Sequence, residues 1–302
     1  MNNTTRRVVA LGFFDGVHIG HGALLRRVAE RAAALNAVPA AFTFDTHPES
    51  LILGRQTPLL STPEDRAGLM RRLYGIEDVI VAHYDLEMMH TPWERFITEY
   101  LVSQCGAVHL VAGHDFRFGY RGEGNPQRLA AKCEELGLGC DIIHPVVQEG
   151  ITVSSTYIRT LIAQGEMERA RSFLGHPHTL TGTVIHGKKL GSVLGFPTVN
   201  LSVPEGVITP AHGVYATRIS VDGVSYPTVT NVGIRPTVDD GDRVTVEGFL
   251  LDFGGDLYGK QVQVEFYKFL RPEEKFASYE ALRAEVMRNV QQTRTYFRFL
   301  EP

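Results

Sequence analysis

The chain has 302 residues, which at about 150 residues per domain favours two domains. Apolar residues make up 43% and charged residues 21%, ordinary globular usage that excludes wholesale disorder. Thirty Lys and Arg against thirty-four Asp and Glu leave a net charge of −4, and neither the part before residue 175 nor the part after it is basic. A general nucleic-acid binder is excluded, because displacing counterions from phosphate needs a basic surface. Cys105, Cys133 and Cys140 cannot all pair and form no CxxC, so they read as free thiols in a reducing compartment, the cytoplasm. The N-terminal stretch has too short an apolar run for a signal peptide, and no run reaches the roughly 20 apolar residues of a membrane helix. Neither export nor a membrane partner is expected.

In chain order, RVVALGF (7–13) predicts a buried strand. GALLRRVAERAAAL (22–35) predicts a helix with Leu24, Leu25, Val28, Ala32 and Leu35 inward. Strands follow at 39–44, 77–84, 109–113 and 141–147, with helical stretches near 63–73, 91–104 and 126–136. This alternation favours a parallel sheet covered on both faces. After about residue 180 the pattern changes to β-rich runs without intervening helices. Residues 213–232 carry a hairpin signal at Asp222-Gly223, and 245–253 and 261–270 continue it. A helix from about Ser278 closes the chain, with Leu282, Val286 and Val290 repeating every four residues. The expected division is therefore 1–175 and 180–302, with a linker near 172–180: an α/β domain, then a small antiparallel barrel or sandwich.

LGFFDGVHIGHGALL places His18 and His21 between a strand and a helix, among Gly12, Gly16, Gly20 and Gly22. Parallel α/β sheets bind ligands at the carboxyl ends of strands, and helix N-termini favour anions. Imidazoles there can donate hydrogen bonds to phosphoryl oxygens as charge develops. A zinc reading is weaker, since no glutamate follows the first histidine and no cysteine lies near. Downstream, Ser155 and Thr156 suit a helix N-terminus, and Arg159 lies one turn on, aimed at the same anion. In the second half, Gly182 to Lys189 nearly matches a P-loop. It fails because Lys189 stands where a hydroxyl is needed and no helix pattern follows. Thr198 and Asn200 of GFPTVN are oxygen donors two apart, suited to Mg²⁺. Glu247 alternates with Val246 and Gly248 and shares a face with Phe249 and Leu251, which sets it apart from a solvated charge.

The first stretch resembles the HxGH signature of the nucleotidylyltransferases. Together, GFFDGVHIGH, TFDTHP (43–48), AGHDFRFG (112–119) and SSTYIR (154–159) look like the N-terminal half of the bacterial bifunctional riboflavin kinase/FAD synthetases. GFPTVN (195–200), NVGIRPT (231–237), VEGFLLDF (246–253), LYGK (257–260) and FLRPEEKF (269–276) resemble their flavokinase half, in order. The resemblance implies a nucleotidylyltransferase domain followed by a Greek-key β-barrel. It implies phosphorylation of riboflavin to FMN and adenylylation of FMN to FAD, with ATP as co-substrate and Mg²⁺. It further implies that His18 and His21 steady the triphosphate, with Gly12, Phe13, Asp15, Gly20, Ser155, Thr156 and Arg159 around the nucleotide. Asp115, Phe116 and Arg271 fall on the flavin side, Gly187 and Lys188 near the second nucleotide, and Glu247 on the base that takes the hydroxyl proton. Thr46 and Thr152 depart from the family pattern, which commonly has proline and a basic residue there, and Ser192 stands where an arginine is common. A monofunctional flavokinase and a flavin-binding regulatory protein therefore stay open as readings, as does a homo-oligomer.

Overall fold

The computed structural model describes residues 5–54, 56–186, 198–237 and 241–300. By internal contacts the chain divides into two compact units, Met1–Ser155 and Thr156–Pro302.

The first unit is a five-stranded parallel sheet in the order β3-β2-β1-β4-β5. Its strands are β1 (Arg7–Leu11), β2 (Val38–Phe44), β3 (Asp78–Ala82), β4 (Ala107–Gly113) and β5 (Gly139–Ile143). Because successive strand side chains point to opposite faces, β1 feeds two cores. Val9 and Leu11 pack with Phe42, Phe96 and Leu110 on one side. Val8 and Ala10 pack with Leu25, Val28 and Met70 on the other. Each such fully buried Val or Leu contributes about 1.5–3 kcal/mol.

The helices are α1 (Ile19–Leu35), α2 (Pro48–Leu53), α3 (Pro63–Tyr74), α4 (Leu86–His90), α5 (from Trp93–Arg95, continuing in π geometry over Phe96–Gln104) and α6 (Pro126–Glu135). Their ends are set by local chemistry. The Thr62 side chain accepts from Asp65 N at the start of α3, Pro63 follows, and Gly75 closes the helix at φ 66°. Helix α1 starts three residues before the expected position, because the His18 side chain itself caps it. Leu35, expected inward, is 37% exposed, since it is the last helical residue before Asn36 turns left-handed. The first strand ends at Leu11 rather than residue 13, where the chain enters a tight turn. A short pair, β6 (Val147–Gln148) and β7 (Ile151–Thr152), completes the unit.

The second unit is a closed antiparallel barrel. Its strands are β8 (His178–Ile185), β9 (Val199–Ser202), β10 (Gly213–Val221), β11 (Val224–Thr237), β12 (Gly241–Leu250) and β13 (Gln261–Arg271), joined in the order β10-β11-β12-β9-β8-β13. Closure gives each of these strands a partner on both sides, which counters the edge hazard of small β folds. The expected hairpin is present, with Asp222 at φ 49° and Gly223 at φ 82°. Inside, Thr217, Thr228 and Thr230 are fully buried, and the Thr217 and Thr230 hydroxyls lie 2.6 Å apart, so burial leaves them paired. The stretch expected as a linker is instead the end of α8 (Met167–Leu174) and the start of β8. Helix α8 follows α7 (Ser155–Ala163), and α9 (Tyr279–Leu300) packs on β10 and β11.

Candidate active sites

A cleft of about 330 Å³ opens at the carboxyl ends of β1, β4 and β5. The strand order reverses between β1 and β4, so this is the topological switch point at which open α/β sheets bind ligands. It is lined by Gly12, Phe13, His18, Gly20 and His21 from the turn after β1, by Asp115 and Phe116 after β4, and by Ser155. The sequence-predicted residues of the first unit thus converge, except for Asp15. Its carboxylate is buried and accepts from Leu60 N at 2.8 Å and Ser61 N at 3.3 Å, so it holds the turn rather than lining the cleft. Thr156 and Arg159 stand on α7 and are counted with the second unit.

The turn itself is tense. Phe14 and Val17 are fully buried at φ 58° and φ 43°, conformations that cost about 1–3 kcal/mol each in a non-glycine residue. The neighbourhood fixes them. Gly16 N donates to Ser61 Oγ at 3.0 Å, Ser155 Oγ to Asp15 O at 3.1 Å, and Thr43 Oγ1 to Phe13 O at 2.8 Å. The result is a stacked imidazole pair, His18 on His21, with centroids 3.5 Å apart. Gly20 permits it, since a Cβ there would lie 3.1 Å from the His18 ring. His18 Nδ1 accepts from His21 N at 3.2 Å. In the neutral ring the proton therefore resides on Nε2, as a donor for a phosphoryl oxygen. Burial, then His18, then Arg66 hold the His21 imidazole well below its ordinary pKa, so it is neutral near pH 7. Its Nδ1 is buried and makes no hydrogen bond. The N-terminus of the 17-residue α1 adds its dipole at the same point. Thr152 lines this cleft as well.

In the barrel, a cavity of about 340 Å³ lies between strands β10 to β13 and α9. Glu247 on β12 lines it, as do Glu273 and Glu274 beyond β13, and Asn231 Nδ2 donates to Glu273 Oε1 at 3.0 Å. The ladder places Glu247 opposite Asn231 of β11 on one side and Asn200 of β9 on the other. Phe249 shares the cavity wall with Glu247, and beneath lies an apolar cluster of Val214, Val229, Leu251 and Val290. Arg271 lines the far side, held by Asn289 Oδ1 at 3.2 Å and Glu285 at 3.4 Å. A second cavity, of about 320 Å³, is lined by Val184, Leu250, Phe253, Asp256 and Tyr258. Thr198 lines both cavities. Gly187, Lys188, Lys189 and Ser192 lie outside the described residues. Sequence reasoning missed Asn231 and the fully buried Asn289 as site residues; only the strand register and the packing of α9 bring them in.

The described residues hold no cluster of three His, Cys, Asp or Glu that could bind a metal. The donors present, Thr198, Asn200 and Glu247, are oxygens. They fit a hard cation that takes its other ligands from phosphate and water.

Comparison with known proteins agrees with both halves. A family profile described as FAD synthetase matches residues 1–157, and one described as riboflavin kinase matches 174–297. A bifunctional riboflavin kinase/FMN adenylyltransferase of Listeria monocytogenes is 36% identical, over 98% of this chain and 94% of its own length. That of Bacillus subtilis is 33% identical (97% and 93%), and that of Escherichia coli K12 is 34% identical (98% and 94%). A crystal structure from Streptococcus pneumoniae, described as a macrolide-efflux protein, superposes with a TM-score of 0.87 at 28% identity, covering 97% of this chain and 95% of that one. Among the described residues no helix is long and apolar enough to cross a membrane. With both domains present and nearly the full length aligned, the chain belongs to the bifunctional riboflavin kinase/FMN adenylyltransferase family, acting on riboflavin, FMN and ATP.

Proposed function

We propose that the cleft at the end of the parallel sheet carries out adenylylation of FMN and that the barrel cavity carries out phosphorylation of riboflavin. The observation that carries this is that the two units hold two different chemistries: phosphate donors in one, carboxylates over an apolar floor in the other.

In the cleft, an FMN phosphate oxygen attacks the α-phosphorus of ATP and pyrophosphate leaves. His18 and His21 donate to the phosphoryl oxygens where charge develops, and the α1 N-terminus favours the same anion. Gly12, Phe13 and Gly20 let the backbone approach the nucleotide, while Asp15 keeps the turn in place. Ser155, Thr156 and Arg159 close the triphosphate side, and Asp115 and Phe116 face the flavin.

In the barrel, the flavin ring suits the floor of Phe249, Val214 and Val229, with Arg271 at the rim. Glu247 takes the proton of the ribityl 5′-hydroxyl as the γ-phosphoryl is transferred. ATP occupies the second cavity, with Thr198 where the two cavities meet; Gly187 and Lys188 are assigned to its phosphates by the resemblance alone. Thr198 and Asn200 would hold Mg²⁺, which would supply neutralisation of phosphate charge there.

The functional boundary is set at 175–180, which keeps Ser155, Thr156 and Arg159 in the adenylylation domain, although by internal contacts the chain divides after Ser155. Free Cys105, Cys133 and Cys140 and the small-molecule substrates support a cytoplasmic enzyme without a nucleic-acid partner. Purified protein given riboflavin, ATP and Mg²⁺ is expected to accumulate FMN and then FAD on a chromatogram. Given FMN alone as flavin, it is expected to make FAD. FMN without FAD from either feed selects a monofunctional kinase, and tight flavin binding without ATP consumption selects a regulatory protein.

A further inference from the structure

Arg66 is the largest fully buried side chain of the described residues, and no catalytic role so far involves it. It projects from the first turn of α3 beneath the turn that carries the histidines. Its Nη1 donates to Thr43 Oγ1 and to Phe44 O, both at 2.9 Å. Its guanidinium carbon lies 4.0 Å from the centroid of the Phe13 ring, a close cation–π stack. Thr43 in turn donates to Phe13 O, so Arg66 grips Phe13 through its ring and, by way of Thr43, through its backbone. The neighbouring Phe14 ring meets His21 edge-on at 5.2 Å.

The cost of this placement argues that it is not ordinary packing. Nε and Nη2 of Arg66 are buried and make no hydrogen bond. A core position chosen only for stability would be better served by an apolar side chain than by a half-satisfied cation. Burial pulls the group down to about 10, with Asp15 and Glu64 opposing, so it stays charged near neutral pH. Its charge also reaches His21, where it opposes protonation alongside burial and His18.

We propose that Arg66 is a positioning residue for adenylyl transfer: its buried guanidinium clamps the phosphate-binding turn through Phe13 and Thr43 and holds a fixed positive charge behind the paired histidines. The turn is thereby set before the triphosphate arrives, and His21 enters as a neutral donor rather than a mobile cation. Other charged or titratable groups around His21 are His18 on its own turn, His114 and Asp115 after β4, and His144 after β5. None of these is changed by a substitution at Arg66, but the buried Asp15 carboxylate of the same turn loses a neighbouring cation in Arg66→Met, so Arg66→Lys, which keeps that cation, is the control for its charge.

The inference rests on the cleft being the adenylylation site, and the test separates the two. The full-length Arg66→Met and Arg66→Lys variants are compared with the unchanged chain in three readouts. These are FMN formation from riboflavin, kcat and KM for FAD formation from FMN, and the NMR titration of the His21 imidazole, assigned with His21→Ala. Arg66→Met is expected to keep FMN formation, to lose roughly 10²-fold in kcat for FAD, and to raise the His21 midpoint. Arg66→Lys keeps the charge but not the planar stack, so its midpoint stays in place while kcat falls by about tenfold. Unchanged FAD kcat in Arg66→Met, or a fall in kcat with a stationary His21 midpoint, overturns the proposal. If Arg66→Met loses both products through misfolding, Arg66→Lys decides: a displaced midpoint there overturns it, because the charge is still present. If the unchanged chain makes no FAD, the site assignment fails, while the His21 titration still reads the Arg66 charge directly.

Discussion

The two units build their sites by opposite means. In the parallel sheet, every chemical group lies on a segment beyond a strand end, so its position depends on braces from elsewhere: Ser61, Asp15, Thr43 and Arg66 around one strained turn. In the barrel, Glu247, Asn231 and Asn200 lie on neighbouring strands, and the ladder register alone sets their spacing. Strand register is strongly specified wherever one face is buried, since a one-residue slip would turn Glu247 away from the cavity. A site made of loop ends suits anion capture, where backbone N–H groups and a helix terminus must converge. A site made of strands suits a carboxylate that must meet one hydroxyl at one distance.

The sharpest break of this contrast is a pair of separable losses. Glu247→Gln is expected to lower riboflavin phosphorylation by about 10²–10⁴, the range for removing a general base. FAD formation from supplied FMN should continue, and chromatography of products from the two feeds reads both. His21→Ala is expected to do the reverse, costing about 10²–10³ in FAD formation, comparable to deleting one transition-state donor, while FMN still accumulates. Parallel losses of both products in either variant would count against two independent sites.

The same contrast explains what the sequence made legible. The strands and helices of the first unit appear in periodicity, and the histidine pair in its position between strand and helix. Arg66 does not, because PEDRAGLMRR reads as a helix with its charges in water, and only the fold shows that one arginine of three points inward. The barrel's closure is similarly hidden: β8 pairs with β13 some eighty residues away, and no local pattern announces a contact at that separation. Glu247 was legible because alternation along one strand is local. Its partners Asn231 and Asn200 share its site through cross-strand register, which a single strand does not encode.

A smaller effect is the acid sensitivity of the barrel itself. His178 is buried in the barrel wall with Nε2 donating to Ile208 O at 3.2 Å, and burial lowers its pKa to about 4. In the unfolded chain it titrates near its ordinary value. The folded state therefore keeps its full stability above about pH 6.5 and loses it as pH falls toward 4, by about 3 kcal/mol at most. His178→Gln retains a donor for Ile208 O without the titration. Amide exchange in β8 and β13 should then depend less steeply on pH in this variant than in the unchanged chain. A slope equal to that of the unchanged chain would assign the acid sensitivity elsewhere.

Ser61→Ala is the gentlest probe and bears directly on the idea of a braced turn. The Ser61 hydroxyl accepts from Gly16 N, and both residues are buried, so its deletion removes a buried hydrogen bond at a cost of about 1 kcal/mol. Asp15 still accepts from Leu60 and Ser61 backbone, so the turn should loosen without unfolding. The single tryptophan, Trp93, lies in the first unit, and its fluorescence reports that unit's denaturation. The expected result is a lower denaturant midpoint with an unchanged slope, a roughly tenfold slower FAD formation, and FMN formation as before. If stability falls but FAD formation does not, the left-handed residues of the turn hold their conformation without this brace. The strain at Phe14 and Val17 would then be borne by the Phe13 clamp instead.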